Sequence, residues 1–261
     1  MNEDIKTFLL ETYGKAKALL ECQTRETLAH KSANDLLSRA DLALNGFFVS
    51  EIKAHFPEAR IIAEESENLA LSEEFTFVVD PLDGTCNFAR GIPLYGIQVA
   101  VFEKGECTSS LVGLPCFDRL YYAEKGKGAY RNGERLFLNR DLPASDGVLE
   151  LSDFYRDEKD IGLEEQFALV AELQGRFLKT RLFGAACIDF TAIAESHAQC
   201  YICYYRHIWD IAPGLLVAKE AGAVESRLNG EPYRYGDQSL VLANNEETLD
   251  LVLKAAEKHL R

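Results

Sequence analysis

The sequence predicts an α/β protein, because helical and strand patterns alternate along a chain that is long enough to bury a large core. Its 261 residues are 47% hydrophobic, which suffices for one large domain or two close lobes. Apolar runs of strand length stand between segments of helical periodicity, most regularly in the C-terminal half. No long linker and no internal repeat interrupts this pattern.

The N-terminal half begins with helices and continues mostly with strands. Periodicity predicts a long first helix that includes residues 16–20 and a second helix around residues 42–54. Strands follow at residues 60–63 and 75–80. Further strands flank glycine-rich turns, and Asn132-Gly133 is a strong hairpin signal.

The C-terminal half alternates helix and strand. Helices are expected near residues 164–173 and 189–196, from Asp210 onward and from Glu246, with strands at residues 200–205 and 240–243. Asp210 stands at the start of its helix, Pro213 lies within the first turn and Gly222 is placed for a C-cap.

Two carboxylates and a hydroxyl follow the apolar run that begins at Phe75. Pro81 cannot donate to a strand ladder, so the strand should stop near Asp80, leaving Asp80, Asp83 and Thr85 on a tight turn. Gly84 permits a close ligand approach, and the N–H groups beyond it can bind phosphate. The turn therefore favours a metal and phosphate site, while the alternative is an ordinary Asp-Gly turn.

A divalent cation needs several oxygen ligands, so further acids must come from elsewhere in the chain. Glu64 and Glu65 end a second short apolar run, and Asp210 begins a helix. Each has a simpler explanation, since the glutamates could form a solvated turn and an isolated Asp is more often a helix cap.

Charge and cysteine content narrow the class of protein. The formal charge of −14 and the absence of a basic stripe argue against nucleic-acid binding, so an anionic substrate would have to be drawn in by bound metal. No apolar stretch has the length of a membrane span, and the start lacks a signal core, so the expected location is the cytoplasm.

Seven cysteines, an odd number, indicate reduced, buried thiols. The Cys200-x-x-Cys203 pair is expected in a core strand.

Taken in order, these segments resemble the inositol monophosphatase family of magnesium-dependent, lithium-sensitive phosphatases. The resemblance covers nearly the whole chain, through residues 31–35, 41, 56–57, 62–66, 80–88, 124–130, 132–133, 209–210, 220–222 and 242–245. It implies a layered αβαβα sandwich of the sugar-phosphatase type with mixed sheets, forming one domain with lobes at about residues 1–140 and 141–261. It also implies a homodimer.

The resemblance implies a magnesium site with two ions, in which Glu65 either supports the ligands without touching an ion or helps to hold a weak third ion. The implied ligands are Glu64, Asp80, the main-chain carbonyl of Leu82, Asp83 and Asp210, an all-oxygen set that suits a hard cation. Such a pair of ions would activate a water to attack phosphorus in line.

Further roles follow from the same resemblance. Thr85 and Asp41 are expected to orient the attacking water, with Glu64 contacting the water or its metal. The N–H groups of Gly84 and Thr85 are expected to receive phosphate oxygens. Lys31 is expected either to tether the acidic loops or to be a solvated surface lysine.

The expected substrate contacts depart from the family pattern. They comprise Gly84, Thr85, Gly184, Ala185, Ala186, Cys203 and Asp210. Cys203 stands where inositol-cleaving members carry an acid that binds a ring hydroxyl, and a thiol is a poor acceptor. The Gly184-Ala185-Ala186 loop lacks the hydroxyl residue often found after its glycine.

We therefore expect magnesium-dependent hydrolysis of a small phosphate monoester, with myo-inositol 1-phosphate or a related sugar or polyol phosphate as the leading substrate. The alternatives within the same chemistry are 3′-phosphoadenosine 5′-phosphate, fructose 1,6-bisphosphate and histidinol phosphate. An alternative of another class is a regulatory partner in RNA processing or transcription, since some bacterial members of the family act in this way independently of catalysis.

Overall fold

The computed structural model describes residues 2–32, 35–65, 71–154, 161–204 and 207–259, without the side chains of residues 2, 30–32 and 35. Its helices are α1 (Asn2–Glu21), α2 (Arg39–His55), α3 (Thr85–Arg90), α4 (Leu163–Leu173), α5 (Ala186–Ala194), α6 (Ile208–Ala221) and α7 (Glu246–Ala256). Its strands are β1 (Thr27–Ser32), β2 (Asp35–Ser38), β3 (Arg60–Ala63), β4 (Thr76–Asp83), β5 (Gly96–Glu103), β6 (Glu106–Leu114), β7 (Arg119–Glu124), β8 (Gly128–Arg131), β9 (Glu134–Arg135), β10 (Val148–Leu151), β11 (Lys179–Arg181), β12 (Cys200–Tyr204), β13 (Val224–Ser226) and β14 (Ser239–Ala243).

The strands form two large sheets and one hairpin. The seven-stranded sheet has the order β3-β4-β5-β6-β7-β8-β9, with β3 and β4 parallel and the remaining pairs antiparallel. The five-stranded sheet has the order β11-β10-β12-β14-β13 and mixes parallel and antiparallel pairs. Strands β1 and β2 form the hairpin. The predicted mixed sheets are thus confirmed.

Alternation along the strands places apolar side chains on both faces of each sheet, which explains the layers. In β4, Phe77 and Val79 pack in a core with α1 and α2, whereas Val78 packs in a second core with α5 and α6. In β12, Tyr201 joins that second core, and Ile202 faces a third core built with α4 and α7. The layers are therefore αβαβα, as the family resemblance implies.

The bounds of three elements, β4, α5 and α6, differ from the sequence prediction near the site. Strand β4 does not stop at Asp80 but continues through Pro81 to Asp83, because the pairing with β5 changes register between Asp80 and Asp83, so the missing N–H of Pro81 falls at the irregularity. Strand β12 (Cys200–Tyr204) agrees with the predicted strand as far as the structure describes it, since residue 205 lies outside the described residues. Helix α5 begins at Ala186, three residues before its predicted start.

Helix α6 also starts earlier, at Ile208, so Pro213 lies in the second turn rather than the first. Asp210 occupies the third helical position and accepts a hydrogen bond from the His207 N–H at 3.1 Å. Gly222 ends the helix in the left-handed region at φ 118°, as predicted. The turn at Asn132-Gly133 has positive φ at both residues and joins β8 to β9, which confirms the hairpin.

None of the seven cysteines forms a disulfide. Four are buried, but Cys22, Cys86 and Cys116 are exposed, so the expectation of buried thiols is wrong for these three. Cys200 and Cys203 lie in a buried strand as predicted, on opposite faces, in different cores. They therefore do not form a chelating pair. Among the described helices, none combines the length and apolar character needed to cross a membrane.

Candidate active site

Three predicted acidic ligands converge where β4 ends and α6 begins. Carboxylate oxygens of Asp80, Asp83 and Asp210 all lie within 4.8 Å of one another. Asp80 and Asp83 are 1% and 8% exposed, and Asp210 is half-buried in the first turn of α6. The acidic cluster, as we call these three residues, joins the seven-stranded sheet to the central helix layer.

The surroundings of Asp80 fit a cation. Its Oδ1 accepts a hydrogen bond from the Leu82 N–H at 3.1 Å, whereas its buried Oδ2 has no hydrogen-bond partner among the described residues. Burial, followed by the nearby carboxylates of Glu64, Asp83, Asp210 and Asp41, raises the pKa of Asp80 well above its usual value. An oxygen-only cluster with an unpaired buried carboxylate oxygen is suited to a hard divalent ion.

The two other predicted ligands, Glu64 and Leu82, lie next to the end of β3 and near the end of β4. Glu64 follows β3, and its N–H donates to the Val79 carbonyl at 3.3 Å, which holds the half-buried residue beside the end of β4. The Leu82 carbonyl oxygen lies 3.0 Å from the Thr85 hydroxyl oxygen. Glu65 is half-buried next to Glu64.

The Thr85 hydroxyl connects the turn to α2. Its Oγ1 lies 2.9 Å from Oδ1 of Asp41, a fully buried carboxylate in the first turn of α2. The other carboxylate oxygen accepts from the Ser38 N–H at 2.7 Å and from the Ser38 hydroxyl at 2.5 Å. The structure therefore confirms that Asp41 and Thr85 pair, and it adds Ser38 as the residue that holds Asp41.

Ser38 is absent from the sequence-based site, although a signal for it exists. Ser-x-x-Asp before an apolar helix has the spacing of a capping box, in which each side chain satisfies the other's backbone N–H. This reciprocal pattern occurs between Ser38 and Asp41. It fixes the orientation of a carboxylate that points into the site.

Gly84 lies in the left-handed region, with φ 82°. A Cβ at this position would lie 2.8 Å from the Leu94 carbonyl oxygen and 3.0 Å from the Cβ of Ala185. Both the backbone conformation and the space therefore require glycine. The close approach places the acidic turn directly against the Gly184-Ala185-Ala186 loop.

Two residues that sequence reasoning missed hold this loop in place. The Asn87 side-chain amide donates to the carbonyls of Leu94 and Phe183, both at 2.8 Å. The Cys187 N–H donates to Oδ2 of Asp83 at 2.5 Å. No sequence motif marks either contact, because each joins segments far apart in the chain.

The remaining predicted contacts lie around this centre. Ala185 and Ala186 are buried at the start of α5. Cys203 is 2% exposed in the core between the two sheets, and its role as a substrate contact stays a prediction. His207 is exposed and stacks on Trp209, with ring centroids 4.5 Å apart. Residues 205 and 206 and the Lys31 side chain lie outside the described part of the structure.

Oxygen ligands that converge on one point inside a layered α/β protein are typical of metal-dependent phosphatases, and the comparisons with known proteins agree with this class. The chain belongs to the inositol monophosphatase family, whose model matches residues 2–261. The family membership predicted from the sequence motifs is thereby confirmed.

Relatives named as phosphatases and relatives named as Nus factors both match this chain. A protein of Aquifex aeolicus named fructose-1,6-bisphosphatase/inositol-1-monophosphatase is 29% identical over 97% of this chain and 90% of its own length. A putative Nus factor SuhB of Neisseria meningitidis serogroup B is 29% identical over 88% of this chain and 87% of its own. The solved structure of the suhB protein of Bartonella henselae matches with a TM-score of 0.89, at 24% identity, over 98% of this chain and 100% of that one. The structural match supports the fold.

Proposed function

We propose that this protein hydrolyses a small phosphate monoester in a magnesium-dependent reaction, with myo-inositol 1-phosphate or a related sugar or polyol phosphate as substrate. The observation that carries the proposal is the acidic cluster of Asp80, Asp83 and Asp210, whose carboxylate oxygens converge within 4.8 Å beside the Asp41–Thr85 pair. Placing three buried or half-buried carboxylates this close together is costly, and cation binding would offset that cost.

The proposed cation ligands are Glu64, Asp80, the Leu82 carbonyl, Asp83 and Asp210. When bound there, two magnesium ions would supply positive charge that neutralises the carboxylates, polarises a phosphoryl group and acidifies water. A third ion beside Glu65 would be weaker, because it would lie at the edge of the cluster.

The residues around the cluster would orient the nucleophile. The Thr85 hydroxyl has one proton, and in this proposal it donates it to Asp41 Oδ1 at 2.9 Å, so an oxygen lone pair remains to accept a hydrogen bond from the attacking water. Because Ser38 fixes Asp41, the Thr85 hydroxyl is held in one direction. Water so placed would attack phosphorus opposite the leaving oxygen: a new P–O bond forms, the bond to the leaving oxygen breaks, the water's proton passes through the Thr85 hydroxyl to Asp41, and the departing alkoxide takes up a proton from solvent.

Phosphate and leaving group would occupy the space between the acidic turn and the start of α5. The N–H groups of Gly84 and Thr85 are the proposed phosphate donors, and Gly184, Ala185 and Ala186 line the opposite side. Small side chains leave room for a polyol. Cys203 and Asp210 are the proposed contacts of the leaving group, and the thiol would bind a ring hydroxyl less well than a carboxylate would.

The direct test is phosphate release from four substrates, each with magnesium and with chelator: myo-inositol 1-phosphate, 3′-phosphoadenosine 5′-phosphate, fructose 1,6-bisphosphate and histidinol phosphate. We expect inositol phosphate to dominate and chelator to abolish turnover, and Asp83→Asn to be inactive. Fructose 1,6-bisphosphate is the main competitor, since the Aquifex aeolicus relative carries both activities in its name. Failure of all four substrates would refute the proposal.

A regulatory function is the second candidate, and the Neisseria meningitidis relative named as a putative Nus factor favours it. The net charge of −14 argues against direct contact with RNA, so a protein partner is the form we consider. Asp83→Asn separates the two functions, because it should remove catalysis while leaving surfaces elsewhere intact. An unchanged cellular phenotype in that variant would favour the regulatory function.

We also propose that the chain is one domain, acts as a cytoplasmic homodimer and is inhibited by lithium, as family resemblance suggests. Support for one domain comes from the second core, which contains side chains of α5, α6 and both large sheets. This core therefore joins residues on both sides of the boundary near residue 140 between the two lobes. Sedimentation at micromolar concentration tests the dimer, and inhibition by lithium at fixed magnesium concentration tests the ion dependence.

A further inference from the structure

The Asn87 side chain connects three segments of the chain at the candidate active site. Its Nδ2 donates to the Leu94 carbonyl and to the Phe183 carbonyl, each at 2.8 Å. Carbonyl oxygens only accept hydrogen bonds, so both N–H groups of the amide are used. Asn87 is 9% exposed, and removal of a buried donor is costly because it leaves the acceptors unsatisfied.

These segments lie on the two sides of the space proposed for the substrate. Asn87 is the third residue of α3, and the N–H groups of the turn that begins this helix are the proposed phosphate donors. Phe183 immediately precedes the Gly184-Ala185-Ala186 loop on the opposite side. The loop also lies over the amide, since a Cβ on Gly184 would be 3.8 Å from Asn87 Nδ2. The amide therefore joins the phosphate-binding turn to the loop.

The turn and the loop leave little tolerance between them. A Cβ on Gly84 would lie 2.8 Å from the Leu94 carbonyl oxygen and 3.0 Å from the Cβ of Ala185. The turn, Leu94 and the loop are thus packed directly against one another. Asn87 bonds to Leu94 and to Phe183, the residue before the loop. Loss of the amide would free both carbonyls to turn toward other donors, and the loop would move with Phe183.

We propose that Asn87 is a positioning residue for the substrate, and that it holds the loop at the distance from the phosphate-binding turn at which the leaving group fits. The inference rests on the proposed function, since it requires that phosphate bind at this turn. Misplacement of a positioning group by about 1 Å can cost roughly 100-fold in rate. Because Asn87 contacts the loop and not the reacting atoms, we expect a smaller loss, which raises KM rather than lowering kcat.

The test compares Asn87→Ala and Asn87→Leu with the wild type. Both variants lack the amide donors, but alanine leaves a cavity whereas leucine is close to asparagine in size, so the two do not share a steric defect. KM and kcat are measured with the substrate, among the four named above, that the wild type turns over fastest. Inhibition by inorganic phosphate and the magnesium dependence of turnover are measured beside them.

Asn244→Ala and Asn244→Leu are the matched controls. Asn244 is also buried, and its Nδ2 also donates to two carbonyls, those of Asn139 at 3.2 Å and Leu142 at 2.8 Å. Its N–H donates to the Gln199 carbonyl at 2.9 Å, beside the start of β12, whereas the chain reaches Asp210 from the other end of that strand. The controls therefore remove the same kind of contact away from the acidic cluster.

We expect both Asn87 variants to raise KM about tenfold, with kcat within about threefold of the wild type. Inhibition by inorganic phosphate and the magnesium requirement should stay within about twofold, because the hydrogen-bond partners of the Asn87 amide include no proposed phosphate donor or cation ligand. The Asn244 variants should lower Tm and leave KM unchanged. Gly184→Ala, which strains a backbone at φ 68°, should also raise KM, and its effect should not add to that of N87A.

Three results would overturn the inference: an unchanged KM in an Asn87 variant that folds, an equal rise of KM in the Asn244 variants, or a loss of phosphate inhibition as large as the rise of KM. Additive effects of N87A and G184A would also contradict it. If the wild type hydrolyses none of the four substrates, the proposed function itself fails. An active wild type with an unmoved KM in the variants refutes the role of Asn87 alone.

Discussion

Replacing Asp80 by asparagine should stabilise the cation-free protein and remove its stabilisation by magnesium. Asparagine keeps the size of the side chain, and its carbonyl oxygen can still accept from the Leu82 N–H that now bonds Oδ1 at 3.1 Å. The change removes one buried charge, whose Oδ2 has no hydrogen-bond partner among the described residues. It also places an amide donor beside the other carboxylates.

The size of the effect follows from the spacing of the acidic cluster. Two unit charges at the cluster's upper separation of 4.8 Å repel by roughly 3.5 kcal/mol at an effective dielectric constant of about 20. Because each charge is spread over two oxygens and Asp210 is half-buried, we expect a net gain of about 2 kcal/mol in the free energy of unfolding. For a chain of this size that corresponds to a rise in Tm of roughly 4–8 °C.

Magnesium should reverse the order of stability. At a concentration one hundred times its dissociation constant, a ligand stabilises the wild type by about 2.7 kcal/mol, whereas D80N should gain little. Scanning calorimetry at pH 7 in chelator and in magnesium measures both effects. Asp141→Asn, the same chemical change at an exposed position, is the control. A D80N melting temperature at or below that of the wild type in chelator would refute the reasoning, as would an undiminished magnesium response.

Two further predictions concern other buried acids. Thr85→Val and Asp41→Asn should each lower kcat at saturating magnesium about 100-fold. The double variant should be little worse than either single variant, because the two residues act as one unit. Additive losses in a kinetic double-mutant cycle would contradict this prediction. Burial and, to a lesser extent, the nearby Asp189 carboxylate raise the pKa of Glu150 well above its usual value. The protonated group is therefore favourable in the folded protein at low pH. Its contribution to stability is lost as the pH rises from the pKa of the unfolded chain, near 4.5, through the pKa of the folded protein. Glu150→Gln should therefore be more stable than the wild type at neutral pH. The difference in the free energy of unfolding should widen by up to about 1.4 kcal/mol per pH unit between the two pKa values. Denaturant unfolding at pH 5 and pH 7 measures this difference, and the same difference at both pH values would contradict the raised pKa of Glu150.

Local sequence determined the elements and the chemistry of the site. Residues 60–63 form a strand as predicted, because a short apolar run with β-branched residues favours extended backbone. Gly84 and Gly222 were identifiable because positive φ at a tight turn and at a helix end favours glycine. The acidic residue types in their spacing, together with the family resemblance, also predicted the three carboxylates that converge, Asp80, Asp83 and Asp210.

The distances were decided by the tertiary structure, because no local pattern encodes contact between segments far apart in the chain. Asp210 reaches Asp80 and Asp83 only because α6 lies in the layer between the two sheets. The irregular pairing that carries β4 past Pro81 depends on β5. Cys187 meets Asp83 because α5 packs against the end of β4. The sequence by itself thus determined the types of the acidic residues and the turns on which they lie. Only the packed layers bury Asp80 and bring the other carboxylates close to it, and these two effects raise its pKa.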